Sequence, residues 1–318
     1  QFIAPDFFGN PTTLNYWGVW NYAELVGYVG IFPLIVALFA LLYRRDKKTA
    51  FFGSILLVSL LFSLPTFFAK LPFILDIPFI ATSQPTRLLF LVDFSLAILA
   101  AAGFDFLIRR KTKKFVLPVI LVGFVLVLFW GFVYIGNKFF SIPFENIFIT
   151  KRNLYFPTAI FCSLVGVSIL LLFIKNTFFR KGLFLLLIVI TLFDLLRFGH
   201  KFIPFVEKEY LFPSTQSIEF LKKDHSLYRI MAKDSEIMPP NFTIMYGLQT
   251  LDGYDPLYLQ RYGELLAAIG RGKPDISGPF GFNRIITPHN YDSRLIDLLG
   301  VKYVLSLSEI DSSKFEKV

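Results

Sequence analysis

Long apolar stretches separated by short charged ones dominate the first two thirds of the chain. Residues 25–43, 49–69, 115–137 and 153–174 run for 19, 21, 23 and 22 positions without a charged side chain. A helix of about 20 apolar residues crosses a hydrocarbon core, so each stretch predicts a span. Residues 88–108 are equally long but contain Asp93 and Asp105. Residues 182–196 are shorter and contain Asp194. Their flanks, Arg180-Lys181 and Arg197, suit opposite interfaces, and the stretch is taken as a sixth span.

The connections between these stretches alternate in charge. Residues 44–48 hold four basic side chains, residues 109–114 hold five and residues 175–181 hold three. The connections 70–87 and 138–157 are longer and hold five between them. The positive-inside rule places the three basic connections in the cytoplasm. The N-terminal stretch, the two longer connections and everything after Arg197 then lie outside, as six spans that begin outside require.

Beyond residue 203 the pattern changes. Apolar runs shorten, and Gly and Pro recur. Residues 214–223 predict a helix with Ser214 as N-cap, and residues 228–232 a short strand. Tyr258, Tyr262, Leu265, Leu266 and Ile269 recur at helical spacing and predict a helix over 257–269. Asp255 is read as its cap, with Pro256 in the first turn. A third helix over 292–299 is expected to stop at Gly300, followed by a buried strand over 301–305. The expected fold class is therefore mainly α: a six-span transmembrane helix bundle with a small C-terminal extracytoplasmic α+β domain. Its parts are an extracytoplasmic segment 1–22, the transmembrane domain 23–203 and the outer domain 204–318.

Composition agrees. Of 318 residues, 55% are hydrophobic and only 17% charged, against about 25% in a soluble domain. An ordinary soluble enzyme, a disordered chain and a fibrous repeat are excluded. The net charge of +9 would suit a nucleic-acid partner if it formed a surface. Instead, residues 1–203 carry 19 basic and 8 acidic side chains, and 12 of the 19 sit in the three basic connections. The excess is a topology signal, and no nucleic-acid partner is expected. The single cysteine, Cys162, excludes a disulfide framework. The three histidines are scattered, with no zinc-ligand spacing. Gly270-Arg271-Gly272 matches neither nucleotide fingerprint. No motif assigns a cofactor, and a divalent metal requirement is left open.

Several segments, in order, carry a resemblance. Pro5-Asp6-Phe7-Phe8-Gly9-Asn10 precedes the first apolar stretch. Ser83-Gln84-Pro85-Thr86-Arg87 opens the third, which contains Ala101-Ala102-Gly103-Phe104-Asp105. Pro240-Asn241, then Asp252-Gly253-Tyr254-Asp255-Pro256, and Leu298-Leu299-Gly300-Val301-Lys302-Tyr303-Val304-Leu305 follow. The combination resembles the C-terminal half of bacterial YfhO-like membrane proteins, similar to the GT-C superfamily of multi-spanning glycosyltransferases. The resemblance implies transfer of a sugar from a polyprenyl-phosphate donor to a cell-envelope acceptor, a teichoic-acid-type polymer or glycolipid, on the outer face of the bacterial cell membrane. The superfamily keeps its key acidic residue in the first outer loop. The chain opens at Gln1 without an initiator Met or signal peptide and reads as the later part of a longer protein. The catalytic base is therefore expected upstream and is not assigned to any residue here.

The chemistry needs cations where negative charge develops on the leaving phosphate. Arg87, at the outer end of the third span, could bind phosphate oxygens through two parallel donors, or only anchor the span at the interface. Lys70 lies at the other end of the same connection. Asp6, among Asn10, Tyr16, Trp17, Trp20 and Tyr22, is a candidate pocket carboxylate or an ordinary turn residue. Asp93, six residues beyond Arg87 and about 9 Å deeper, should face protein or a wet cavity. Asp194 and Arg197 at i,i+3, and Asp105 and Arg109 at i,i+4, read as local ion pairs. Two rivals remain: a non-catalytic envelope assembly factor on a GT-C-like scaffold, and a lipid or solute transporter, which would carry broken helices near the bilayer midplane.

Overall fold

The structure, a computed structural model, describes every residue except Trp20, 78–83, Lys111, Pro204, 234–236, 278–280 and Asn283, and the side chain of Asn137. Ser83 and Trp20, which figured in the sequence reading, fall outside the described residues, as does Lys111 of the second basic connection. The chain divides into two compact units, Gln1–Pro204 and Phe205–Val318.

The first unit is helical: α1 (Ile31–Tyr43), α2 (Lys47–Ser63), α3 (Phe67–Ile74), α4 (Leu89–Arg109), α5 (Val116–Phe140), α6 (Phe144–Phe173) and α7 (Thr177–His200). Among the described residues, four helical stretches are long and apolar enough to cross a membrane: Pro85–Arg109, Lys113–Gly136, Phe144–Phe173 and Thr177–His200. A fifth results if α2 and α3 are taken as one span bent by 69°. The outward faces carry exposed Phe124, Val127, Leu128, Leu185, Leu192 and Phe193. Water would not tolerate so large an apolar surface, whereas lipid matches it.

Two of the six expected spans differ from the sequence reading. Residues 25–43 are helical only from Ile31, because Gly30 takes a left-handed φ of +90°. Thirteen residues give α1 a length of about 20 Å, short of the roughly 30 Å core. The stretch 49–69 breaks at Leu64-Pro65-Thr66, where Pro65 supplies no amide for a helical ladder and Thr66 caps α3 by accepting from the Ala69 amide at 3.3 Å. In contrast, α7 is longer than its apolar run. Asn176 caps it, and the charged flanks on both sides continue the helix.

α1 is the centre of the unit. Its Ile31, Phe32, Ile35, Val36, Ala37, Phe39 and Ala40 are all buried, the pattern of a helix covered on every side. α4 crosses it closely at Gly103, where a Cβ would fall 1.9 Å from the Val36 carbonyl oxygen. Connectivity puts the three basic connections at one end of the bundle. The start of α1, the start of α6 and the end of α7 lie at the other.

The second unit is a small α+β assembly. Strand β1 (Arg229–Ala232) pairs in parallel with β4 (Val301–Leu305), and β2 (Gly253–Tyr254) pairs antiparallel with β3 (Ile285–Ile286). Helices α8 (Gln216–Lys223), α9 (Gln260–Arg271) and α10 (Arg294–Leu298) complete it. Met231, Leu251, Leu266, Ile269, Ile286 and Ile296 form its core. Gly300 is left-handed after α10, as its position predicts. Two expected caps are displaced. Thr215, not Ser214, accepts from the Ile218 amide, and Asp255 closes a turn onto the Leu257 amide at 2.8 Å while α9 starts only at Gln260.

Candidate functional site

The N-terminal segment is a tight, stapled turn. Phe7 buries its ring against Phe129 and Phe132 of α5. Gly9 adopts a φ of +85°, and a Cβ there would fall 2.1 Å from the Asn15 carbonyl oxygen. Asn10 accepts from the Thr12 amide at 2.9 Å and so caps the following 3-10 turn. Two side chains of α6, one turn apart, hold the segment down. Thr150 Oγ1 donates to the Phe7 carbonyl at 2.8 Å, and Asn153 Nδ2 donates to the Asp6 carbonyl at 2.7 Å.

This folding buries Asp6 and surrounds it with donors. Asn10 Nδ2 donates to Oδ1 at 2.7 Å, Tyr22 Oη donates to Oδ1 at 3.0 Å, and the Lys201 ammonium binds Oδ2. Tyr22 itself stacks on Phe202. Burial, and then the Asp6 carboxylate beside it, push the Tyr22 phenol well above its usual range, so it remains a donor at physiological pH.

A second carboxylate lies nearby. Asp194, on α7, is only 2% exposed. It accepts from Tyr28 Oη at 2.6 and 2.8 Å and from the Ile31 amide at 3.2 Å. Gly30 has no side chain to cap α1, so Asp194 caps it from a different helix. The expected ion pair of Asp194 with Arg197 is not what forms. The Arg197 guanidinium instead lies over the Phe156 ring, 3.7 Å from its centroid. The expected pair of Asp105 and Arg109 does form, at 2.7 Å. It lies at the basic end, away from this region.

Between these groups is a cavity of about 230 Å³. Asp6 and Asp194 line it, with Tyr28, Asn153, Arg152 and Arg197. Helical spacing explains the set: Arg152, Asn153 and Phe156 share one face of α6, as Asp194, Arg197 and Phe198 share one face of α7. Arg152 and Arg197 are both exposed, and among the described residues neither has a carboxylate within ion-pair distance. The buried carboxylates are therefore engaged by other donors, while neither guanidinium makes a direct ion pair, although Arg197 remains within electrostatic range of Asp194. The volume is below the roughly 300 Å³ at which pockets for drug-sized ligands begin, so it suits a compact polar group such as phosphate. Among the described residues, no three His, Cys, Asp or Glu side chains cluster as a metal site would need.

The structure brings only Asp6, of the four residues expected to bind substrate, into this cavity. Arg87 is in the 3-10 turn Pro85–Leu88, with its Nε 3.7 Å from Glu24. Lys70 is exposed on α3. Asp93 is half-buried against Gly27, and its Oδ1 has no hydrogen-bond partner among the described residues. Sequence reasoning passed over Arg152, Asn153 and Tyr28, and read Arg197 only as a flanking charge and a local partner of Asp194. A signal for the arginines was present. Both are basic residues at span ends on the side that the positive-inside rule leaves poor in charge.

No protein-family model matches the chain, and neither does any curated protein or any solved structure.

Proposed function

We propose that the chain is the membrane-embedded part of a glycosyltransferase of the GT-C kind. It takes a sugar from a polyprenyl-phosphate donor and passes it to an envelope polymer or glycolipid on the outer face of the cell membrane. One observation carries this reading: two arginines that make no direct ion pair among the described residues line a phosphate-sized cavity at the bundle end opposite the basic connections. In this reading α1 and the α2–α3 pair complete six crossings with the help of their non-helical residues, and the second unit lies outside. Arg152 and Arg197 grip the donor phosphate, where guanidinium groups offer parallel donors to its oxygens. Asp6 and Asp194 hold the cavity in shape. Arg87 and Lys70 stand outside the cavity, available to the acceptor or to a more distant part of the donor.

The test is donor binding by the protein in detergent or nanodiscs, measured with a polyprenyl-phosphate-linked sugar. Arg152→Ala and Arg197→Ala are each expected to weaken binding by about tenfold to a hundredfold, the range for a lost charge-assisted hydrogen bond. Arg87→Ala is the comparison. If it alone abolishes binding, the phosphate site lies at Arg87 and the cavity has another role.

A non-catalytic scaffold is favoured by one feature: both cavity carboxylates are already engaged by the chain's own donors, Asp6 by Asn10, Tyr22 and Lys201, and Asp194 by Tyr28 and the Ile31 amide. Sugar transfer by the complete protein separates the two readings. The transporter reading gains less. The α2–α3 break follows 17 residues of helix from the basic end, about 25 Å along, which is near the far interface and not at the midplane.

A further inference from the structure

The second unit holds a group of apolar side chains outward on a fixed frame. Its 3-10 helix Phe242–Tyr246 is bracketed by two left-handed residues, Asn241 at φ +73° and Gly247 at φ +71°. Asn241 ties the helix to β2: its Nδ2 donates to the Tyr254 carbonyl at 2.9 Å, and its Oδ1 accepts from the Tyr254 amide at 3.1 Å. Side chains three apart eclipse in such a helix. Thr243 and Tyr246 form the inward row: Thr243 is buried, and Tyr246 Oη donates to the Pro213 carbonyl at 3.1 Å. Phe242 and Met245 form one outward row and Ile244 another, and Ile244 is 72% exposed.

A second stretch lies against the same helix. Phe212 packs its ring on Phe242, with 5.8 Å between centroids, and on Tyr246. Just before it, the 3-10 turn Lys208–Tyr210 leaves Val206, Tyr210 and Leu211 exposed. Two segments of the unit thus present six large apolar side chains outward. Charge is absent from the longer segment. Residues 205–318 carry 28 charged side chains in 114 positions, yet 237–251 carry none. Apolar groups held in water cost free energy, and a group of them marks a contact surface.

Continuity along the chain points to what covers it. α7 is apolar and long enough to cross a membrane, and Leu192, Phe193 and Leu196 are exposed on it. It ends at His200, and apolar exposure continues through Phe202 and Ile203 to Val206, six residues on. Six residues reach at most about 22 Å, so the stretch begins close to the bilayer surface. Tyr210 and Lys208 are residue types that sit at headgroup level, with the apolar body inward and the polar tip in water. We propose that this face of the second unit seats in the lipid interface, with Leu211, Ile244 and Met245 reaching the boundary between headgroups and acyl chains. Seating there requires only that α7 crosses a bilayer and involves no transfer chemistry.

The test is electron paramagnetic resonance of the full chain in nanodiscs of phosphatidylcholine and phosphatidylglycerol, with one nitroxide label per chain on a Cys162→Ala background. Collision with oxygen, which concentrates in hydrocarbon, and with a polar nickel chelate, which stays in water, gives the depth of each label. Labels at Ile244→Cys and at Leu211→Cys should lie about 5–10 Å below the phosphate level, the depth of an interfacial apolar face. A label at Glu309→Cys, an exposed charged position, should read as water. Ile244→Glu/Met245→Glu changes exposed side chains, which costs the fold little, and should return the Leu211 label to a water-like reading. A water-like reading at Ile244, a depth at Glu309 equal to that at Ile244, or an unchanged depth at Leu211 in the double variant overturns the lipid contact. Low access to both reagents at Ile244 means that protein covers the face, the chain's own or a second copy's, and overturns it as well.

Discussion

The two ends of the helix bundle handle charge in opposite ways. At the basic end most side chains are exposed, and the close ion pairs there are between near neighbours in sequence: Arg44 with Asp46, and Arg109 with Asp105. At the cavity end, Asp6 is bound by Lys201, 195 residues away, and Asp194 by Tyr28, 166 residues away. The difference follows from solvation. A charge held in water gains little from a partner, whereas a buried carboxylate must be surrounded by donors or it destabilises the fold. Charge at the first end therefore binds little of the fold together. Charge at the second end holds three separate chain segments together around a cavity.

The sharpest way to break this contrast is Asp194→Ala. It strands the Tyr28 hydroxyl and the Ile31 amide in a buried setting and removes the cap of α1, and should cost about 3 kcal/mol in a detergent unfolding assay. Asp194→Asn keeps an acceptor and should cost clearly less. Asp6→Asn comes next, at about 2 kcal/mol, because a partly buried Lys201 loses its counter-charge. If either variant unfolds like the wild type, the network contributes no stability. Arg197→Ala should cost only about 0.5–1 kcal/mol, the worth of its contact with Phe156, while weakening donor binding much more. Arg45→Gln and Arg87→Ala, at exposed positions, should each stay within about 0.5 kcal/mol of wild type. A larger loss at Arg45 would show that the basic end is structural after all.

The smallest effect belongs to the second unit. Lys302, Ser226 and Tyr303 hold the Asp224 carboxyl well below the usual carboxylate range. Its folded value is depressed, so its contribution is complete above the ordinary carboxylate value of about 3.9 and is lost as pH falls through the depressed one. Unfolding followed from pH 7 to pH 2 should therefore separate Asp224→Asn from wild type at neutral pH and bring the two together only in strong acid. Convergence already at pH 5 would mean that Asp224 is not depressed.

Much of the helical architecture was legible along the chain, since apolar run length maps directly onto spans. The runs at 88–108 and 182–196 fall within long apolar helices of the structure, and those at 115–137 and 153–174 match theirs to within one residue at the C-terminal end. The two runs that changed are those in which a backbone constraint interrupts an apolar composition, Gly30 in one and Pro65 in the other. Hydropathy averages over such single residues, although each is visible in the sequence. Asp6 was legible as a candidate because it is an acidic residue among Asn10, Tyr16, Trp17 and Tyr22 ahead of the first apolar run. Asp194 was misread because spacing suggested a local partner, and spacing carries no information about Tyr28 or the start of α1.

The sequence by itself determined that the chain carries helices long and apolar enough to cross a membrane, where most of them run, and which connections share one end of the bundle. Those properties depend on composition summed over 20 or so residues, and on charge counted in short loops. Only the tertiary structure decided that Asp6, Asp194, Arg152 and Arg197 border one cavity. That property depends on which helices pack side by side. Packing sets burial, and burial decides which charges must be satisfied and which remain free for a ligand.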